Sequence, residues 1–240
     1  MDSPHKRPVD LGLYTELGKS LCLSLYLYFM YLFTIEGTDG SGKATQLALL
    51  KEKLEDKGYS VMTISFPNCS SRSSGPVKMY LEGELGRKPS DVSAYAASAL
   101  FAVDRFASYK KNWEKPYKEG TVIISDRYVL SNIIHQASKL SIEERKSYID
   151  WLYDFEYKKL GIPVPTLSFF LDVPPDVSSE NVEKRYFGDE AKKDIHERDG
   201  EYMKICYDTA KELFPRLGVV RVECVRDGKM KTREEINEII

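Results

Sequence analysis

Five short apolar runs recur along the chain. Between them lie stretches whose apolar positions return every three or four residues. The runs are Tyr31–Ile35, Ser60–Ser65, Thr121–Ser125, Thr166–Leu171 and Gly218–Cys224. Runs this short and continuous predict strands buried on both faces, as in a parallel sheet. The periodic stretches predict helices from Ala44 to about Lys57, Val92 to Trp113, Ser141 to Lys159, Asp176 to Tyr186, Asp194 to about Phe214 and Arg233 to Ile240. A short helix within Gly75–Gly86 and another carrying Ser131 to Gln136 complete the pattern. Strands that alternate with helices predict an α/β fold: a five-stranded parallel sheet flanked by helices on both faces.

Composition narrows this picture. The chain has 240 residues, enough for a large core, and shows no internal repeat or second domain boundary. A net charge of −2 disfavours a general nucleic-acid partner. The 4 cysteines (Cys22, Cys69, Cys206, Cys224) form no CxxC pair and no zinc spacing, which suits reduced thiols in a cytosolic protein. Leu21–Phe33 is almost continuously apolar, with Lys6, Arg7 and Lys19 upstream, as in a signal peptide. It is short of the ~20 residues a membrane span needs, and it runs directly into the first strand. Met30 reads as a natural start, residues 1–29 as an extension and residues 30–240 as the domain; an extra packed helix or a membrane tether are the other readings of 1–29.

The chemistry is concentrated after the first strand, in IEGTDGSGKATQ (Ile35–Gln46). A buried strand, a glycine-rich turn and a helix make a phosphate cradle. Gly37, Gly40 and Gly42 let the backbone N–H groups of Thr38, Asp39, Ser41 and their neighbours converge on an anion, and the helix presents its positive end to the same point. Lys43 adds a full charge for the outer phosphates. The hydroxyl that usually follows the lysine and holds magnesium is absent: Ala44 stands there, and Thr45 comes one residue later. Asp39 and Asp126 are then the candidate ligands, partly through water, for Mg2+ bound with ATP.

Other candidates lie at the ends of later strands. Phe66-Pro67-Asn68 turns the chain where ligands of open α/β sheets gather. Arg72 follows, either as a phosphate ligand or as a solvated loop arginine. Phe101 and Arg105 are four apart on one helical face and suit a nucleobase clamp; a core phenylalanine beside a surface arginine is the alternative. Asp126-Arg127-Tyr128 ends the third strand, placing an acid for metal and a cation for phosphate, or a structural ion pair. Lys184, Arg185, Lys192, Lys193 and Arg198 surround a polar segment that reads as a lid over phosphates or as a solvated charged loop.

These motifs together resemble the thymidylate kinases, nucleoside-monophosphate kinases of the P-loop class. The resemblance covers Met30 to Ile240 and rests on IEGTDGSGKATQ, Phe66-Pro67, LFAVDR (Leu100–Arg105), DRY followed by SNIIHQ (Asp126–Gln136), LDVPP from Leu171, and the segment from Arg185 through DIHE. It implies a P-loop fold with a small lid at about 185–198, and phosphoryl transfer from magnesium-ATP to dTMP in a cytoplasmic homodimer, with no membrane partner. It implies that Asp39 lies by the acceptor sugar and the metal, that Phe101 stacks on thymine and Arg105 contacts its edge. Arg127 and Arg72 would grip the acceptor phosphate, with Phe66, Asp126 and Gln136 beside the nucleotide and Arg185 acting from the lid. His135 departs from the aromatic residue frequent at its position. A deoxynucleoside kinase or other nucleoside-monophosphate kinase, and a regulatory or inactive P-loop nucleotide-binding protein, are the alternatives.

Overall fold

The computed structural model describes residues 30–186, 189 and 193–240, with the side chains of residues 184–186 outside the description. The expected extension (1–29), the centre of the expected lid and the side chain of Arg185 thus lie outside the described residues.

The five apolar runs form β1 (Leu32–Glu36), β2 (Val61–Ser65), β3 (Val122–Asp126), β4 (Leu167–Asp172) and β5 (Val220–Glu223). They make one parallel sheet in the order β2-β3-β1-β4-β5. β1 is central, and the chain leaves it first toward β2 and β3, later toward β4 and β5. Alternate residues of each strand feed two cores, as the two-residue period of a strand requires. Ile35, Val122, Ile124, Phe169 and Leu171 face α1 (Lys43–Asp56) and the closing helix (Arg233–Asn237). Leu32, Ile123 and Phe170 share a core with the helices of the opposite face. Those helices are α3 (Ala94–Ser108), α5 (Val129–Gln136), α6 (Ile142–Tyr153) and α8 (Gly200–Leu213). Shorter α2 (Gly75–Leu81) and α4 (Glu114–Lys118) flank α3, and α7 (Pro175–Tyr186) follows β4. No helix of the described residues is long and apolar enough to cross a membrane.

Several predicted helices end earlier or begin later than their periodicity suggests. The helix expected over Ser141–Lys159 is α-helical only to Tyr153 and then widens into a π turn, Asp154–Lys159. That turn carries Glu156 into the core, where it is fully buried against Arg105. Such widened turns leave the helical ladder locally and re-aim a side chain. The helix expected from Asp194 begins instead at Gly200, capped by Asp199, whose carboxylate accepts the Tyr202 N–H at 2.9 Å. Asp194 closes a turn of its own, accepting the backbone N–H groups of His196 (2.8 Å) and Glu197 (2.9 Å). An aspartate that bonds its own following backbone in this way competes with helix extension. A two-stranded hairpin, β6 (Val225–Arg226) with β7 (Lys229–Met230), was not expected.

Candidate active site

The register of the sheet assembles the site. Ile35 pairs with Asp126, so the C-terminal ends of β1 and β3 lie side by side, and the Arg127 N–H bonds to the Ile35 carbonyl at 3.1 Å. The glycine loop leaves β1 at this edge and Arg127 leaves β3 beside it. Gly42 sits in the left-handed region (φ 90°) before Lys43, the first residue of α1, and no side chain caps that helix. The first N–H groups of α1 are thereby left for an anion.

Lys43 is buried, and its ammonium donates to the Gly37 (3.1 Å) and Thr38 (2.8 Å) carbonyls. Burial and the nearby Arg127 charge push its pKa down to about 8, against the pull of Asp39, Asp126 and Glu36. Arg127 adopts φ 64°, an uncommon conformation for a non-glycine residue and one that clusters at functional sites. Its guanidinium reaches across to the Gly37 carbonyl (3.1 Å) and the Asp39 carboxylate (2.5 Å). Burial disfavours ionisation of Asp39, yet the Arg127 and Lys43 charges outweigh it and hold the carboxyl far below the usual carboxylate range.

A cavity of about 360 Å³ opens beside this pair. Asp39 and Arg127 form one end, Phe101 and Pro67 one wall, and Ser131, Asn132, His135 and Gln136 of α5 another. The four α5 residues are the two i,i+4 pairs that share a helical face. Gln136 is buried with neither amide atom bonded, and Nδ1 of His135 is likewise without a partner. Unbonded polar groups in a buried wall are what a polar ligand would satisfy. A smaller cavity, about 270 Å³, lies across Thr38 and Asp39 between α7 and α8, with Lys193 and Lys204 on its wall.

The structure brings together most of the predicted residues and separates others. Gly37, Thr38, Asp39, Gly40, Ser41, Gly42, Lys43, Ala44 and Thr45 form the loop and the start of α1, with Ala44 and Thr45 exposed. Arg105 lies in the core rather than on the cavity wall: it is 1 % exposed and its guanidinium is held by both oxygens of Glu156 at 2.6 Å each. This fork-to-fork pair engages Nε and Nη2, while Nη1 reaches the Tyr128 carbonyl at 3.5 Å. Phe66 is buried against Tyr128, and the following Pro67 reaches the cavity. Arg72 is exposed on a short 3-10 turn, and neither cavity includes it.

Glu36 and the wall residues Asp194, His196 and Glu197 lie outside the predicted set. Glu36 ends β1 fully buried and accepts the Ser131 hydroxyl at 2.6 Å, burial raising its pKa against the pull of Ser131 and Arg127. Asp194, His196 and Glu197 reach the cavity from the turn before α8. Burial and the neighbouring Asp39 carboxylate push the Asp194 carboxyl up to about 7. Only the DIHE motif hinted at these three, and its predicted helix obscured their turn.

The oxygen donors needed for magnesium are present. Oδ1 of Asp126 and the hydroxyls of Thr38 and Ser41 are buried beside the loop without hydrogen-bond partners. Among the described residues no group of three or more His, Cys, Asp or Glu forms a metal cage. One carboxylate with substrate phosphates and water is the ordinary coordination of magnesium at such sites.

Comparison with known proteins is concordant. A family model described as thymidylate kinase matches residues 35–222. A thymidylate kinase of Mycobacterium tuberculosis is 33% identical over 199 residues, 82% of this chain and 86% of that protein. A probable thymidylate kinase of Pyrobaculum aerophilum is 33% identical over 156 residues, 65% of this chain and 71% of its own. One from Pyrococcus horikoshii is 35% identical over 155 residues, with the same coverages of 65% and 71%.

Proposed function

The chain belongs to the thymidylate kinase family, and from that premise we propose that it transfers the γ-phosphoryl group of ATP to dTMP, giving ADP and dTDP. An oxygen of the dTMP phosphate forms the new bond to the γ-phosphorus, and the bond from that phosphorus to the β,γ-bridging oxygen breaks. The observation that carries this reading is the Arg127–Asp39–Gly37 junction. One guanidinium is bonded to the donor-phosphate loop and also lines the acceptor cavity.

The acceptor is already an anion, so the site needs alignment and charge neutralisation rather than a strong base. Lys43 and the N-terminus of α1 receive the donor phosphates. Arg127 spans donor and acceptor and holds Asp39 ionised and fixed at the mouth of the cavity. Phe101 supplies a ring for stacking on thymine, and Gln136 offers both a donor and an acceptor to its edge. Arg185 is taken as a lid arginine for the transferred group. Asp126, with Asp39 through water, would hold magnesium, which when bound supplies positive charge to the β- and γ-phosphate oxygens. With Asp39 held as a carboxylate by two cations it is a poor base, which favours a phosphate over a sugar hydroxyl as acceptor. The same reading makes the working enzyme a cytoplasmic homodimer, for which sedimentation velocity would return the mass of two chains.

The test is a coupled ADP-release assay with magnesium-ATP and dTMP, dUMP, dGMP, AMP or thymidine. Selective stimulation by dTMP is expected. Activity on thymidine alone would make the protein a nucleoside kinase, and ATP binding without stimulation by any acceptor would make it a regulatory P-loop protein.

A further inference from the structure

Behind the acceptor cavity runs a chain of polar groups that phosphoryl transfer leaves unused. Tyr80, on α2, is fully buried. Its hydroxyl has two hydrogen-bond partners: the Lys139 ammonium at 3.0 Å and Nε2 of His196 at 2.8 Å. Gln136 approaches the same hydroxyl but neither of its amide atoms is hydrogen-bonded. Lys139 also donates to the Val92 carbonyl at 2.9 Å. Among the described residues it forms no ion pair with a carboxylate, although it is largely buried.

The direction of each proton follows from the donors available. An ammonium donates and never accepts, so the Tyr80 oxygen is the acceptor of the Lys139 bond. The hydroxyl keeps one proton to give, and giving it to Nε2 of His196 is the arrangement that serves both bonded partners at once. An imidazole nitrogen that accepts a hydrogen bond carries no proton. His196 is neutral, since burial and the Lys139 charge push its pKa down to about 3. A neutral imidazole with an unprotonated Nε2 carries its proton on Nδ1.

That ring faces the nucleotide side. His196 lines the acceptor cavity, stacked on His135 with centroids 4.9 Å apart and planes 9° from parallel. The edge of Tyr80 holds its other flank at 5.4 Å. The hydrogen bond of the His196 ring to Tyr80 runs through Nε2, and Nδ1 of the neighbouring His135 is buried without a partner.

We propose that Lys139 and Tyr80 are positioning residues that fix His196 as its Nδ1–H tautomer, so that a neutral imidazole N–H is offered to an acceptor oxygen of the thymidine moiety. The contact with dTMP rests on the proposed function; the tautomer does not. Lys139 and Tyr80 act on the nucleotide only through His196. A lysine without a carboxylate partner suits this role, because an acid at that point would compete for the ammonium and leave the hydroxyl proton undirected.

The chain has only 3 histidines, which makes the tautomer readable by two-bond 15N–1H correlation on 15N-labelled protein. The His196→Gln variant identifies the signals. The wild type is expected to show a pyrrole-type Nδ1 and a pyridine-type Nε2 at His196. Tyr80→Phe removes the directing hydroxyl and Lys139→Met its polarity; in both, His196 moves toward the Nε2–H form that free imidazole favours. Lys139→Arg keeps the donor and retains the wild-type pattern. In steady-state assays Tyr80→Phe raises KM for dTMP by about 3- to 10-fold, the worth of one neutral hydrogen bond, with kcat and KM for ATP unchanged. An Nε2–H tautomer in the wild type, or one unmoved in Tyr80→Phe, overturns the relay. A tautomer that moves without any change in KM for dTMP overturns the contact. If no dTMP turnover is found but the tautomers behave as expected, the functional reading fails and the relay stands.

Discussion

Lys43 shows how one buried side chain ties the loop to its ligand. Its ammonium rests on two loop carbonyls, which a donor phosphate would replace in the proposed reaction. Burial lowers its pKa from 10.5 to about 8, so in the free protein it is charged below that pH and loses its proton as pH rises through it. A phosphate bound beside it favours the charged form. Because kcat/KM reports the free enzyme and kcat the complex, kcat/KM for ATP is expected to fall above about pH 8 while kcat changes less. Lys43→Met should have a lower kcat/KM and lack that limb, and a pH–rate profile of both proteins checks this. The position of Lys43 on the loop was legible in the spacing of the glycines. The placement of Arg105 was not. An arginine four residues from Phe101 reads as a base contact until Glu156, 51 residues away, is seen to grip it. No local pattern announces so distant a partner.

At the scale of elements, α7 explains a glycine and the wide turn explains an ion pair. Gly40 has φ +80°, and a Cβ there would sit 2.2 Å from the Ser178 carbonyl oxygen of α7. Asn181 of the same helix donates to the Gly40 carbonyl at 2.9 Å. The helix thus backs the phosphate loop directly and leaves no room for a side chain. Gly40→Ala is expected to lower stability by roughly 1–3 kcal/mol, the scale of backbone strain at such positions. It should also raise KM for ATP through displacement of the loop, as thermal unfolding and kinetics would show. The wide turn after α6 delivers Glu156 to Arg105 with side-chain exposures of 0% and 1%. Glu156→Ala strands a cation in the core and is expected to cost ~3–5 kcal/mol, whereas a joint replacement of both residues by apolar ones should cost far less. Chemical denaturation of the two variants separates these outcomes. Helical periodicity ran the helix on to Lys159 and did not show this change of pitch at Tyr153, since the buried face continues through it.

Over the whole molecule, the sheet order converts sequence-distant segments into one edge. Asp39, Arg127 and Asp194 meet there because β1, β3 and the turn before α8 all open on the same side. The described residues from Met30 onward supply both apolar cores of the sheet. A chain beginning at Met30 is expected to fold, with a melting temperature and dTMP turnover close to those of the full 240 residues. Calorimetry and the coupled assay would show it, and an insoluble or inactive product would assign residues 1–29 to the working protein.

The sequence by itself determined the alternation of buried strands and helices, the phosphate loop and its lysine, and the family resemblance, because each depends on residues adjacent in the chain or at a helical or strand period. It also pointed to Asp39, Arg127, Phe101 and Gln136, through motifs at strand ends and on one helical face. The tertiary structure decided the rest. It withdrew Arg105 into an ion pair, moved Asp194 and His196 from a predicted helix to the cavity wall, and joined Lys139, Tyr80 and His196 in one line. Those outcomes depend on which side chains meet across the fold, and burial then selects the charge and proton position that each can keep.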